Sequence, residues 1–270
     1  CLIVGANWWP QNYVPKTIPV IQIDLSPAHI GSTTAVAYGL VGDAGTLIEQ
    51  LSGEISPDSN REWAGAIRNE INAWLDQLEE EANVQSSPVH PATLMRVIQQ
   101  VAPDDAILCL DTGDHTVWFG RVFRPVRQQV LLSGEWRTMG FGLPPALAAK
   151  INRPEQKVFA LVGDGGFAMT MADFLTAVKY NLEVTIVVIN NGFLAMEKNK
   201  MTAGGLIPEG TSLYNLDFAG YAEDCGGLGL RVEHSKDLEP ALREALNSGR
   251  PSLVDVKTAD LAVPGTTMPT

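Results

Sequence analysis

Short, continuous apolar runs alternate along this chain with longer segments whose apolar residues recur at helical spacing, the pattern of buried parallel strands exchanging with helices. From the first residue it predicts a strand over Cys1–Gly5, a second over Pro19–Leu25, a turn through Pro27–Gly31, a short strand in "YGLVGDA" and a helix over Ala44–Leu51. Pro, Ser, Asp and Asn then cluster over Ser52–Asn60, which marks a boundary. Beyond it Trp63, Ile67, Ile71, Trp74, Leu75 and Leu78 recur at helical spacing, predicting an amphipathic linker helix that ends in the acidic "EEEAN".

A second linker, "VQSSPVHP", leads into a helix from Pro91, where the first helical turn tolerates proline. Strand "AILCLD", a loop over "DTGDHTVW", strand "QVLLS", loop "GEWRTMGFGLP", helix "PALAAKI", strand "KVFALV", a glycine turn, helix "MADFLTAVKY" and strand "EVTIVVIN" follow in order. A long glycine-bearing loop, helix "LDFAGYAEDCG", strand "LGLRVE", helix "LEPALREALNS" and strand "PSLVDVK" complete the pattern. Six strands alternating with helices predict a doubly wound α/β domain with a parallel six-stranded sheet over residues 88–260. Residues 1–55 read as the C-terminal part of a second, Rossmann-like central domain, 56–87 as a linker with a helix, and 261–270 as a tail.

Composition narrows the classes. An apolar fraction of 45% with 19% charged residues describes a chain with a core rather than a disordered one. The net charge of −12 and the absence of a Lys/Arg-rich run argue against nucleic acid as a partner, leaving room for a small anion bound locally. Cys1, Cys109 and Cys225 form no CxxC pair, so neither a disulfide framework nor a zinc site is expected, and a reducing cytoplasm is. With no apolar run of about 18 residues and no secretory leader, a soluble protein is expected. The chain opens inside a strand without Met, which predicts a piece of a longer polypeptide.

The glycine turn "LVGDGGFAMTMADFL", Leu161–Leu175, sits where strand hands over to helix. At such a place in a doubly wound sheet, a helix N-terminus offers free N–H groups to an anion. The spacing is GDGG followed by Phe167, which departs from the dinucleotide GxGxxG loop. A bare Asp164 carboxylate would repel a diphosphate, so a cation must lie between them. "EVTIVVINN" follows after one crossover helix, so both strands end on the same edge of the sheet, about 4.8 Å apart if they are neighbours. Asp164 and Asn191 could then share an ion, and their hard oxygens suit Mg²⁺ or Ca²⁺.

GDG, followed after residues 166–189 by NN, resembles the thiamine diphosphate (ThDP) motif of the pyruvate oxidase and acetohydroxyacid synthase superfamily. Upstream "DTGDHTVW" and "TMGFGLPPALAAK" occur in that family's order, "IQIDLSPAHIG" with "GLVGD" is similar to the end of its central domain, and the resemblance spans essentially the whole chain. "NNGFLAMEKNKMTAGG", "FA", "CGG" and "DLAVP" are similar to pyruvate oxidases and quinone-linked pyruvate dehydrogenases.

The resemblance implies roles residue by residue. Asp164, the Asn191 side chain and the Phe193 carbonyl would ligate Mg²⁺. Gly165 and Gly166 would donate N–H groups to the diphosphate, with Gly163 and Phe167 completing the binding turn. Asp114 and His115 match a loop that reaches the diphosphate, although a loop-capping His is the open alternative. Arg137 falls where the family uses a main-chain carbonyl, and with Trp136 it replaces the small residues of many relatives. Met139 matches the bulky side chain that wedges between the two rings of ThDP and holds it bent for internal proton abstraction; a core Met is the alternative. Glu197 matches a proton-handling Glu of pyruvate decarboxylases, or is a solvated helix-start residue. The central-domain half matches a region that holds FAD in oxidases and synthases, whereas decarboxylases keep it without flavin; Asp24 and Asp43 are the positions to watch, or strand-end caps.

The expected activity is oxidative decarboxylation of pyruvate or a similar 2-oxo acid with ThDP, Mg²⁺ and FAD. The alternatives are an acetohydroxyacid synthase, a non-oxidative 2-oxo acid decarboxylase and, from another class, a non-catalytic cofactor-binding module. The family also needs a glutamate from a pyrimidine-binding domain, so this chain alone is expected to be inactive. A homodimer or homotetramer with active sites shared between subunits is implied, and peripheral membrane contact by the full-length protein is left open.

Overall fold

The computed structural model describes residues 1–7, 14, 17–55 and 61–264, with Arg61 as backbone only. Of the boundary expected within Ser52–Asn60, residues 56–60 lie outside the described residues, as does the end of the expected tail, while Ser52–Glu54 are helical. The chain divides into two compact units, Cys1–Arg68 and Asn69–Thr270.

In the first unit β1 (Leu2–Val4), β2 (Ile21–Asp24) and β3 (Tyr38–Val41) form a parallel sheet in that order. Ile3 and Ile23 are buried in it. Helix α1 (Ala44–Glu54) starts at Asp43, whose side chain accepts from the Thr46 N–H at 2.9 Å, the ordinary work of an N-cap. Asp24 accepts from the Ser26 N–H at 2.8 Å and lies 3.0 Å from Nδ1 of His29. Both acids therefore have local partners at strand ends, and both line one small cleft there.

Helix α2 (Arg61–Ala82) spans the division between the units. Its C-terminal end belongs to the second: Leu78 and Ala82 are buried, and Glu81 receives Nε and Nη2 of Arg121, each at 2.9 Å.

The second unit is built on six parallel strands: β4 (Ile107–Leu110), β5 (Gln129–Leu132), β6 (Val158–Gly163), β7 (Val184–Asn190), β8 (Leu228–Val232) and β9 (Ser252–Lys257), in the order β5-β4-β6-β7-β9-β8. Apart from the end residue of β6, β6 and β7 are buried throughout, as central parallel strands covered on both faces must be. Alternation sorts their side chains. Phe159, Leu161, Val187 and Ile189 face one core, with α3 (Pro91–Val101), α4 (Asp114–Val122) and α10 (Leu238–Asn247) packed on it. Val158, Ala160, Val162, Ile186 and Val188 face the other, covered by α5 (Leu143–Asn152), α6 (Asp164–Thr170), α7 (Phe174–Lys179) and α9 (Phe218–Asp224).

Helix α4, after β4, therefore lies on one face and α5, before β6, on the other. The chain leaves β4 toward β5 and returns to β6 on the other side of β4. This makes the β4/β6 junction a topological switch point, where two loops part and a ligand crevice opens at the C-terminal ends of the strands.

Three local expectations change. The "DTGDHTVW" stretch is half helix, because α4 starts at Asp114 and buries Trp118, Phe119 and Val122 one turn later. The glycine turn is itself the first turn of α6, and a 3-10 turn at Met171–Asp173 separates it from α7. The long loop after β7 contains α8 (Ala195–Ala203), which buries only Ala195 and so carries no apolar stripe to read.

Candidate active site

At the switch point Asp111 directly follows β4 and β6 ends in Gly163. Asp111 is 1% exposed, and it ties the following loops together. Its Oδ1 accepts from the N–H groups of Thr112 (2.7 Å) and Phe141 (3.1 Å), and its Oδ2 accepts from Gly140 N–H (3.0 Å). The loop carrying Met139 is thus pinned to the end of β4. Burial pushes the Asp111 carboxyl above the usual range, against the lowering effect of those N–H donors. Sequence reasoning missed this residue, whose only local signal is a polar position directly after a buried strand.

His115 lies behind the same junction, 6% exposed, with Nε2 3.0 Å from the Asp111 main-chain oxygen. Burial lowers its pKa to about 4, so the ring is neutral. A Cβ at Gly113 would meet this ring at 2.7 Å, and one at Gly163 at 3.3 Å. Glycine at both positions makes room for the imidazole.

The β6–β7 register pairs Gly163 with Ile189, which brings Asp164 and the two asparagines to one edge, as the crossover argument expects. Asp164 is 2% exposed. Its Oδ1 accepts from Gly165 N–H (2.9 Å), and its Oδ2 accepts from Gly192 N–H (2.8 Å) and Asn215 Nδ2 (2.7 Å). Burial raises its carboxyl pKa despite these donors. Asn215, 51 residues along the chain from Asp164, was also missed, because no short motif links it to the glycine turn.

One cleft gathers Asp114, His115, Arg137, Met139, Gly163, Asp164, Gly165, Gly166, Asn191, Phe193 and Glu197. Phe167 alone among the expected site residues is not part of it. Its side chain is fully buried between the sheet and α9, edge-on to Phe218, so only its main chain stays with the turn. Gly165 is close-packed: an added Cβ would meet Leu194 Cδ2 at 2.9 Å and Met139 Cε at 3.5 Å. The half-buried Met139 side chain therefore overhangs the glycine turn rather than filling the core.

Asp114 is desolvated, which raises its carboxyl, and Asn199 of α8 approaches it at 3.4 Å. Glu197, in the first turn of α8, is largely exposed and pairs with Lys200 at 3.0 Å. Arg137 is exposed with φ +48°, a conformation that L residues adopt rarely. Its N–H donates to the Ser133 carbonyl oxygen at 3.0 Å. Trp136 beside it is 87% exposed, and nothing in the structure explains its size.

Among the described residues no cluster of three or more His, Cys, Asp and Glu could hold a metal. The edge instead offers Asp164 as a single carboxylate with the amide of Asn191. That donor set fits a hard divalent ion only if a bound anion and water supply the remaining oxygens. The first turn of α6 presents main-chain N–H groups that suit such an anion, and glycine at 165 and 166 lets that turn pack against Leu194 and Asp111.

A doubly wound sheet with a glycine turn, a buried carboxylate and an amide-bearing strand end at its switch point defines an α/β domain built for a phosphorylated cofactor. Residues 111–256 match the family described as "Thiamine pyrophosphate enzyme, C-terminal TPP binding domain", thiamine pyrophosphate being another name for ThDP. The chain belongs to this family and carries its C-terminal cofactor-binding domain. It is 37% identical over 94% of its length to YdaP of Bacillus subtilis (strain 168), a protein provisionally named as thiamine pyrophosphate-containing. It is 31% identical over 88% to the acetolactate synthase isozyme 3 large subunit of Escherichia coli (strain K12), and 30% identical over 97% to the pyruvate oxidase of Lactiplantibacillus plantarum. The matches cover 45%, 42% and 45% of those three proteins, so the chain spans less than half the length of each. Among the described residues no helix is long and apolar enough to cross a membrane.

Proposed function

We propose that this chain is the diphosphate-binding part of a ThDP- and Mg²⁺-dependent enzyme that oxidatively decarboxylates pyruvate or a similar 2-oxo acid. The observation that carries the reading is the single cleft in which Asp164, Asn191, the glycine turn and Met139 converge. Asp164, the Asn191 side chain and the Phe193 carbonyl would hold Mg²⁺. Gly166 would offer its main-chain N–H to the diphosphate, while the Gly165 N–H already serves Asp164 and the Phe167 N–H closes the first turn of α6 on its N-cap Gly163. Asp114 and His115 would bound the diphosphate end, and the main chain of Arg137 the opposite wall. Met139 would press on the bound cofactor from above the turn, and Glu197 would exchange protons with substrate at the cleft mouth. When bound, ThDP supplies the electron sink for loss of CO₂ from a 2-oxo acid.

In this reading the domain that ends with residues 1–55 would hold FAD, which would supply an electron acceptor, and the full-length protein would be a cytoplasmic homodimer or homotetramer with sites shared between subunits. The likeness to a pyruvate oxidase over 97% of the chain supports it. A second reading, acetolactate synthesis, has support from the likeness to an acetolactate synthase at 31% identity. Assay of the full-length protein with pyruvate, added FAD and an artificial electron acceptor separates them. Acceptor reduction and flavin bleaching by pyruvate without oxygen are expected; acetolactate with no acceptor reduction would favour the second reading and sink the first.

A further inference from the structure

The Asp164 carboxylate is held by a chain of amides that crosses three neighbouring strands. Asn215 Nδ2 donates one hydrogen to Asp164 Oδ2 at 2.7 Å and the other to Asn190 Oδ1 at 2.9 Å. Asn190 Nδ2 in turn donates to Asp255 Oδ1 at 2.8 Å. Asp255 is fully buried within β9, and Asn190 is buried at the end of β7. Only one orientation of each amide satisfies this chain. Flipping Asn190 would set its oxygen against the Asp255 carboxylate, and flipping Asn215 would set its oxygen against two acceptors.

We propose that Asn215 is a positioning residue for the cation site, holding Asp164 to one orientation through one hydrogen of its amide while the other anchors that amide on Asn190; this rests on the reading of Asp164 as a Mg²⁺ ligand. Gly192 N–H and Asn215 Nδ2 take both acceptor positions of Oδ2, and Gly165 N–H takes one of Oδ1, which leaves the second acceptor position of Oδ1 to face the ion. Asp164's three donors are neutral amides, so the carboxylate is oriented without its charge being cancelled. Lysine or arginine in place of Asn215 would orient it equally well and compete with the cation. Asn215 also sits on the loop whose Leu213 N–H donates to the Gly192 carbonyl oxygen at 2.8 Å. Seating of that loop therefore sets the ligand's orientation. Partners that orient a metal ligand are worth about 10- to 100-fold in metal affinity.

The test uses full-length protein, Mn²⁺ as the probe with ThDP present, and electron paramagnetic resonance to count and characterise bound Mn²⁺. Asn215→Leu removes both donors and excludes a replacing water; Asn215→Ala inserts nothing and decides the matter if the Leu variant does not fold. Expected is Mn²⁺ affinity weaker by about 10- to 100-fold and an altered signal from the remaining bound ion. Affinity and signal unchanged in the Leu variant, while Asp164→Ala loses Mn²⁺, would overturn the positioning role and leave the ligand reading standing. Unchanged affinity in Asp164→Ala would overturn both.

Discussion

Nε2 of His115 lies 3.0 Å from the main-chain oxygen of Asp111, in a space that glycines at 113 and 163 keep open. The neutral ring donates its Nε2 hydrogen to that oxygen and is held buried at the cleft wall.

A pH dependence follows. The His115 pKa falls from an ordinary 6.5 to about 4 on folding, so between these values the unfolded chain binds a proton that the folded chain does not. Its contribution to stability is fully present above about pH 6.5 and is lost as pH falls toward 4, on the order of 3 kcal/mol across the window. The buried carboxylates Asp111, Asp164 and Asp255, all raised by burial, act in the opposite direction, because the folded state there holds the extra proton. The difference between wild type and His115→Gln isolates the imidazole. Urea unfolding of apo protein from pH 7 to 5 is expected to show a smaller loss in the variant, and parallel curves would contradict it.

Gly166→Ala would drive a Cβ into the Asp111 carboxylate, which also holds the Gly140–Phe141 loop. A destabilisation of about 1–3 kcal/mol is expected from the forced shift. Denaturant midpoints measure it, and a midpoint equal to wild type would mean that Asp111 moves at little cost.

Met139→Ala removes the side chain that overhangs the turn without touching Asp164 or Asn191. Turnover is expected to fall by up to about a hundredfold, the scale of a misplaced reactant, with a smaller change in ThDP affinity. Calorimetric titration beside steady-state kinetics compares the two, and equal losses would assign Met139 to binding alone.

Arg137→Gly tests whether that position serves through its main chain. With φ +48° at Arg137, glycine adopts the same backbone at no steric cost. ThDP affinity is expected to stay within about twofold, well under 1 kcal/mol. A tenfold loss, about 1.4 kcal/mol, would instead give the contact to the guanidinium.

Much of the fold was legible because burial enforces pattern. β6 and β7 read as continuous apolar runs since both faces of a central parallel strand are covered. α3 and α10 showed their apolar stripes for the same reason. α8 stayed hidden because it buries one residue and borders the cleft. α4 was half hidden because its apolar residues begin only in its second turn.

The same division holds for the site. Asp164, Asn191 and the glycines belong to short motifs at strand ends, so local spacing and crossover handedness alone bring them to one edge. Asp111 and Asn215 act on groups 29 and 51 residues away, and no periodicity records such a distance. Phe167, adjacent to the turn in sequence, goes to the core instead, because a helix's first turn points successive side chains in different directions. The chain by itself determined the order of the strands along it, the sheet edge and the residue types at the proposed cation site. Only the tertiary structure decided which oxygen of Asp164 keeps an acceptor position open, which amides hold it and where Met139 lies, since hydrogen-bond direction and packing exist only once distant segments meet.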